Sequence, residues 1–122
     1  MRSKYNARKV VLDGHTFDSS HEMNVYAELK VLQDSGKIKD LVLQPRFELI
    51  PSFTRGKKKH RKTEYVADFM FIEGGKTVVV DAKSKVTEKD KTYRLKRKAF
   101  LYKYGDGVVF REVYADGKVI EY

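Results

Sequence analysis

Two aspartates and a lysine in the stretch EYVADFMFIEGGKTVVVDAKSK (64–85) are the residues best placed to do chemistry. Asp68 and Asp81 lie on either side of Glu73-Gly74-Gly75-Lys76, between two runs of strand-forming residues, Tyr65 to Ile72 and Thr77 to Ala82. A Gly-Gly pair between such runs signals a two-residue hairpin, because both central residues of a type I′ turn need positive φ. The register that faces Glu73 with Lys76 also faces Asp68 with Asp81. Side chains opposed in this way have Cβ atoms roughly 4.5–5.5 Å apart. Lys83, two residues beyond Asp81, shares that face of the strand.

Opposed carboxylates among Val66, Met70 and Val79 destabilise a sheet and raise the pKa of at least one of the pair. A divalent cation relieves the conflict. Mg²⁺ takes oxygen ligands, usually one or two carboxylates with water and substrate phosphate. A lysine beside such a pair can orient an attacking water or stabilise developing phosphoryl charge. The same residues also read as salt bridges on a solvated face, Asp81 with Lys83 and Glu64 with Lys85. A slip of one residue in the turn would separate the two aspartates.

The elements around this hairpin supply further candidates. Ser19 opens a predicted helix to about Ser35, with Gly36 at the C′ position and an apolar stripe of Val25, Tyr26, Leu29 and Leu32. Glu22 precedes Val25 and Tyr26 by three and four residues, so it projects from the inward face. It reads either as a third metal-site acid or as the N3 glutamate of a Ser19-Ser20-His21-Glu22 capping box. Ile38 to Pro51 reads as extended and is limited by Pro45 and Pro51. Gln44, just before Pro45, could bring an amide toward the same site. The histidines His15, His21 and His60 have no ligand spacing.

Thr54 to Thr63 (TRGKKKHRKT) is a charge run with Arg55, Lys57, Lys58, Lys59, Arg61 and Lys62 and no acid. Such a block is expected to form a mobile loop between two strands, either merely solvated or in contact with a phosphate backbone. A second helix is predicted from about Thr87 to Tyr104, with Leu95, Ala99 and Tyr102 as its apolar stripe, widened by Phe100. Lys91, Arg94, Lys96, Arg97 and Lys98 cover its remaining surface. Arg94, Lys96 and Arg97 would flank the site with phosphate-binding groups, or serve as a solvated outer face. Smaller hairpins are predicted around Asp13-Gly14 and Asp116-Gly117.

Composition agrees with a nucleic-acid partner. The 122 residues suit one domain, with a basic and frayed N-terminus over 1–9, and 26 Lys+Arg against 17 Asp+Glu give a net charge of +9. There are no cysteines, which excludes disulfides and thiolate metal sites and suits a reducing interior. No apolar run approaches the ~20 residues of a membrane helix. The order helix, strand, hairpin, helix, strand predicts an α/β or α+β fold, a sheet of about five strands covered by two long helices.

An acid on the first helix (Glu22), an aspartate on one strand (Asp68), Asp81-Ala82-Lys83 on the next and then a helix resemble the PD-(D/E)XK nuclease superfamily. The segments FDSSHEMNVYAELKVLQDSGKIKDLVLQPRFEL, YVADF, VVVDAKS and TYRLKRKAF are similar to small phage-encoded nuclease-like proteins of that superfamily. The resemblance runs from roughly Val10 to Tyr114. It implies a single restriction-endonuclease-like domain with a mixed central sheet, and a Mg²⁺-dependent endodeoxyribonuclease for which Mn²⁺ can substitute. Asp68 and Asp81 would hold the metal, Glu22 would be the additional helix acid of Holliday-junction-resolvase-like branches, and Lys83 would orient or activate the water. The sequence departs from the familiar pattern at Ala67, where a proline is usual, and at Asp81, where glutamate is commoner. The implied partner is DNA, branched or duplex, in recombination or processing in the cytoplasm of a phage-infected or lysogenic host. A homodimer would suit a junction resolver. Two other readings stay open: a non-catalytic nucleic-acid-binding protein that keeps the fold and the basic arm, and a basic assembly or ribosome-associated protein.

Overall fold

Asp13 and Gly14 both take positive φ (52° and 77°) and close a tight hairpin between β1 (Val10–Leu12) and β2 (His15–Phe17), as an Asp-Gly pair predicts. This is a computed structural model, which describes residues 9–84 and 90–122. The basic N-terminal residues 1–8, Lys85 as a partner for Glu64, and Thr87 as a helix start lie outside the described residues.

Helix α1 (Ser20–Asp34) begins and ends where its capping signals place it. The Ser19 side chain accepts a hydrogen bond from the Glu22 N–H, and Gly36 follows with φ 84°. Val25, Tyr26 and Leu29 are buried, with Leu32 packed beside them. The extended segment beyond it divides at Gln44-Pro45 into β3 (Lys39–Leu43) and β4 (Arg46–Ile50).

The expected run from Tyr65 to Ile72 is two strands, β7 (Thr63–Val66) and β8 (Phe69–Glu73). β7 pairs antiparallel with β4, whereas β8 pairs antiparallel with β9 (Lys76–Lys83). The chain changes partner at Ala67-Asp68. The β8–β9 turn keeps the expected register, Glu73 facing Lys76 and Phe69 facing Val80, with Gly74 and Gly75 at φ 57° and 78°. A side chain at either glycine would strain the turn.

The charge run is not an unstructured loop. Phe53–Arg55 (β5) and Lys58–His60 (β6) pair antiparallel as a short ribbon, with Gly56 at the turn (φ 61°). Strand ladders satisfy backbone groups regardless of side-chain charge, so repulsion among the cations does not prevent pairing.

After β9, α2 (Lys91–Tyr104) crosses over to β10 (Val108–Tyr114), which runs parallel to β9, as a helical crossover permits. Asp90 caps α2 by accepting from the Tyr93 N–H, and a 3-10 turn over Gly105–Gly107 ends it. β11 (Val119–Glu121) adds an edge, which gives a mixed five-stranded sheet of order β11-β10-β9-β8-β3. The fold is thus α+β with two helices and a five-stranded mixed sheet. No described helix is long and apolar enough to cross a membrane.

Alternation along β8 and β9 builds two cores. Phe69, Phe71, Val78 and Val80 pack with Val25, Tyr26 and Leu29 of α1. Val79 packs with Phe100 of α2, Phe110 of β10 and Tyr65 of β7. The inward face of α2 differs from the expected stripe. Tyr93, Phe100, Leu101 and Tyr104 face the sheet, while Leu95 (67 %) and Tyr102 (93 %) are exposed. Four apolar residues among so many cations fit more than one helical face, and the position of Asp90 and the sheet decide which one is buried.

Candidate active site

The site lies where β9 ends and the chain switches from β7 to β8. On β9, Val79 faces the α2 core and Val80 the α1 core, so Asp81 and Lys83 fall on the α2 side. Asp81 is buried (2 % exposed). Its Oδ1 accepts from the Asp68 N–H at 3.2 Å, and its Oδ2 accepts from the Tyr65 hydroxyl. Asp68 in turn accepts from the Ala82 N–H at 2.8 Å through Oδ2. Each aspartate side chain therefore bonds the main chain of the other's segment, Asp81 at Asp68 and Asp68 at Ala82. The Asp68 N–H is shared, since it also donates to the Val80 carbonyl at 3.2 Å, so β9 holds Asp68 by main chain and side chain together where the chain passes from β7 to β8.

Lys83 sits at the edge of this cluster. Its Nζ stands 3.6 Å from Asp81 Oδ2 and 3.6 Å from the centroid of the Tyr93 ring on α2. The salt bridge expected between Asp81 and Lys83 is present. Glu64, by contrast, pairs with Arg46 (3.3 Å) and Lys62 (3.6 Å).

Burial dominates the electrostatics of the site. Burial raises the pKa of Asp81 to about 6, and Glu112 adds to the rise, while Lys83 and the Asp68 N–H oppose it. Asp68 is also raised, chiefly by burial, against the Ala82 N–H and Lys83. Glu22 is pushed to about 7 by burial and by the charges of Asp68, Asp18 and Asp81. Its backbone N–H serves the Ser19 cap while its carboxyl senses the two strand aspartates, so the cap and the site share the residue.

Glu22, Asp68 and Gln44 line one recess of about 250 Å³ with His15 and Phe17. Gln44 takes a positive φ of 52°, uncommon for a non-glycine residue, and its N–H donates to the Asp68 carbonyl at 2.9 Å. Among the described residues, no three His, Cys, Asp or Glu side chains converge tightly enough to hold a metal ion. The structure thus joins Asp68 and Asp81 closely and leaves Glu22 at the rim of the pair.

The donor set fits a hard divalent cation. The oxygens of Asp68 and Asp81 carry more lone pairs than their hydrogen bonds here use, and Mg²⁺ usually takes one or two carboxylates with water completing its shell.

Several supporting residues were invisible in the sequence. Glu112 is fully buried on β10, the register partner of Asp81. It accepts from the Tyr93 hydroxyl, from Arg97 at 2.9 Å and from the Tyr122 hydroxyl at 2.8 Å. Burial opposes its ionisation, but these donors outweigh burial and hold its pKa below the ordinary value. Arg97, expected among the phosphate-binding groups, is engaged with Glu112 through Nη1. Of the other expected helix cations, Arg94 is exposed and Lys96 is half-buried. His21 Nε2 donates to the Val113 carbonyl at 2.8 Å, which ties α1 to β10 beside the site. The alternation Val108, Phe110, Glu112, Tyr114 was the one signal that Glu112 points inward.

On the ribbon, Arg55, Lys57, Lys58, Lys59, Arg61 and Lys62 are all exposed, Lys62 with its ion pair to Glu64.

Among curated proteins, none matches in sequence. The crystal structure of SSO0001 is similar at 14% identity with a TM-score of 0.44, covering 84% of this chain and 48% of SSO0001, so the chain spans about half of that protein's length. A family model described as a protein of unknown function, DUF1064, matches residues 2–115, and the chain belongs to that family.

Proposed function

We propose that the protein is a Mg²⁺-dependent endodeoxyribonuclease with a restriction-endonuclease-like domain, acting on DNA in phage or prophage recombination or processing. The observation that carries this reading is the linked pair Asp68–Asp81 with the Lys83 ammonium 3.6 Å from Asp81, in a chain that also carries a basic ribbon. Asp68 and Asp81 would hold the cation, with Glu22 at the rim. When bound, such an ion polarises a phosphoryl oxygen and lowers the pKa of a bound water.

The chain's own groups supply the rest. Lys83, held by Asp81 and by the face of Tyr93, is positioned to orient a water or to stabilise negative charge on the phosphoryl oxygens. Tyr93 is itself fixed by its hydroxyl bond to Glu112, so the Lys83 position depends on β10 and α2 together. The ribbon cations and Arg94 would neutralise backbone phosphates. Selectivity for branched DNA and a homodimer that cuts two strands belong to the same reading.

A second reading, a non-catalytic nucleic-acid-binding protein, is favoured by the lack of a three-acid cluster among the described residues. A cleavage panel separates the two. Duplex, flap, single-stranded and four-way-junction DNA are incubated with Mg²⁺, Mn²⁺ or chelator. A nuclease cuts at least one substrate with metal, not with chelator, and loses cleavage in Lys83→Ala. Metal-independent binding with no cleavage of any substrate leaves the binding module.

A further inference from the structure

Phe53 and His60 are register partners on the β5–β6 ribbon, and their rings stack at 4.6 Å between centroids with 13° between planes. Arg55 and Lys58 are also partners, two residues along each strand, so all four side chains share one face of the ribbon. Phe53 is part of neither core and is 49 % exposed. A half-exposed aromatic stack, followed along the same face by two cations and flanked by Lys57, Lys59 and Arg61, is the pattern that takes a base on the ring and phosphates on the ammonium and guanidinium groups.

We propose that this face of the ribbon, Phe53 and His60 with Arg55 and Lys58, binds unpaired DNA, one base stacking on the Phe53–His60 pair. The inference rests on the proposed function only in taking DNA as the partner. Charge selects that occupant. The run from Thr54 to Thr63 has six Lys/Arg and no acid, which suits a polyanion and disfavours an apolar or basic protein surface.

Placement adds to it. β4 and β7 carry the ribbon away from the site, and the chain from His60 to Asp68 reaches at most about 29 Å when extended. That is less than one turn of duplex, roughly 34–36 Å. An unpaired base held on the ribbon therefore leaves the adjoining duplex within reach of Asp68 and Asp81. The substrate class this points to is DNA at a junction between paired and unpaired strands. The bland role of the pair is to staple the two strands together, as cross-strand aromatic pairs do. A staple acts on every DNA alike, whereas a stacking platform discriminates, and the experiment uses that difference.

Binding is measured by fluorescence anisotropy in chelator, on a single strand, a duplex and a duplex with a single-stranded flap. Phe53→Ala is expected to weaken single-strand and flap binding about 5- to 150-fold, the range for removing one stacked base. Duplex binding should change by no more than about twofold. Phe53→Tyr, which keeps the ring, should restore the preference, and matching melting temperatures show that the domain is folded. Equal weakening on all three DNAs would show a staple only and overturn the proposal, as would no weakening on the unpaired substrates. Because no metal is present, the outcome is independent of cleavage. A Phe53-dependent preference in a protein that cuts nothing sinks the nuclease reading alone; metal-dependent cleavage without that preference sinks this inference alone.

Discussion

At the scale of single residues, the site is a set of acids with opposite fates. Glu112 is stabilised as a carboxylate, while Glu22, Asp68 and Asp81 are held closer to neutrality chiefly by burial, with neighbouring acids adding to it. Glu112 has its folded pKa below its unfolded value, so its contribution to stability is present above the unfolded value, near pH 4.5, and is lost as pH falls through the folded one. The melting-temperature advantage of wild type over Glu112→Gln should therefore hold at neutral pH and shrink in acid. An advantage that grows on acidification would contradict the Tyr93, Arg97 and Tyr122 account. Glu22 offers a cleaner functional test. The Ser19 cap uses the Glu22 backbone N–H, so Glu22→Gln leaves it intact and should barely move the melting temperature. If the carboxyl serves the cation, the same change cuts metal-dependent cleavage heavily; near-normal cleavage would remove Glu22 from the site.

At the scale of elements, α2 and the ribbon make separate predictions. Phe100 is fully buried between Val79 and Phe110, whereas Tyr102, a member of the expected stripe, lies in water. Phe100→Ala should cost about 3–5 kcal/mol and Tyr102→Ala no more than about 0.5 kcal/mol, measured by denaturant unfolding. Equal costs would mean that α2 packs on its other face. Neutralising Lys57, Lys58, Lys59, Arg61 and Lys62 on the exposed ribbon should weaken DNA binding without unfolding the domain. The slope of log affinity against log salt should flatten by up to ~0.9 for each phosphate no longer neutralised. An unchanged slope would leave the ribbon without a role in phosphate binding.

At the scale of the whole molecule, the two aspartates link metal, stability and activity. Their raised pKa values mean that the ionised pair is a standing cost without a cation. Mg²⁺ or Mn²⁺ should raise the melting temperature by several degrees at concentrations well above Kd, following RT ln(1 + [L]/Kd). Asp68→Asn is the better probe of the pair. An asparagine oxygen still accepts from the Ala82 N–H, whereas Asp81→Asn also strips Lys83 of its partner. Asp68→Asn should melt at or above wild type without metal and gain nothing from metal. Full metal-dependent stabilisation of that variant would remove Asp68 from the ligand set.

What the sequence determined by itself was local. Gly74-Gly75 sets the β8–β9 register, since positive φ at two adjacent residues specifies the turn and the turn specifies every pairing after it. The limits of α1 likewise follow from Ser19 and Gly36, whose effects reach no further than one helical turn. With these came the side on which Lys83 lies; the ladder itself stops at Phe69 and Val80, and Asp68 meets Asp81 through side-chain hydrogen bonds beyond it. The ribbon was legible only as charge, because its strand pairing is a backbone property that the cations conceal. Tertiary structure alone decided the strand break at Ala67-Asp68, since β7 finds β4 and not β9, a choice between partners distant in the chain. It also decided the buried face of α2, the capture of Arg97 by Glu112, and the bond from Tyr65 to Asp81. Each of these depends on which surfaces meet, and periodicity within one segment carries no information about the segment it will meet.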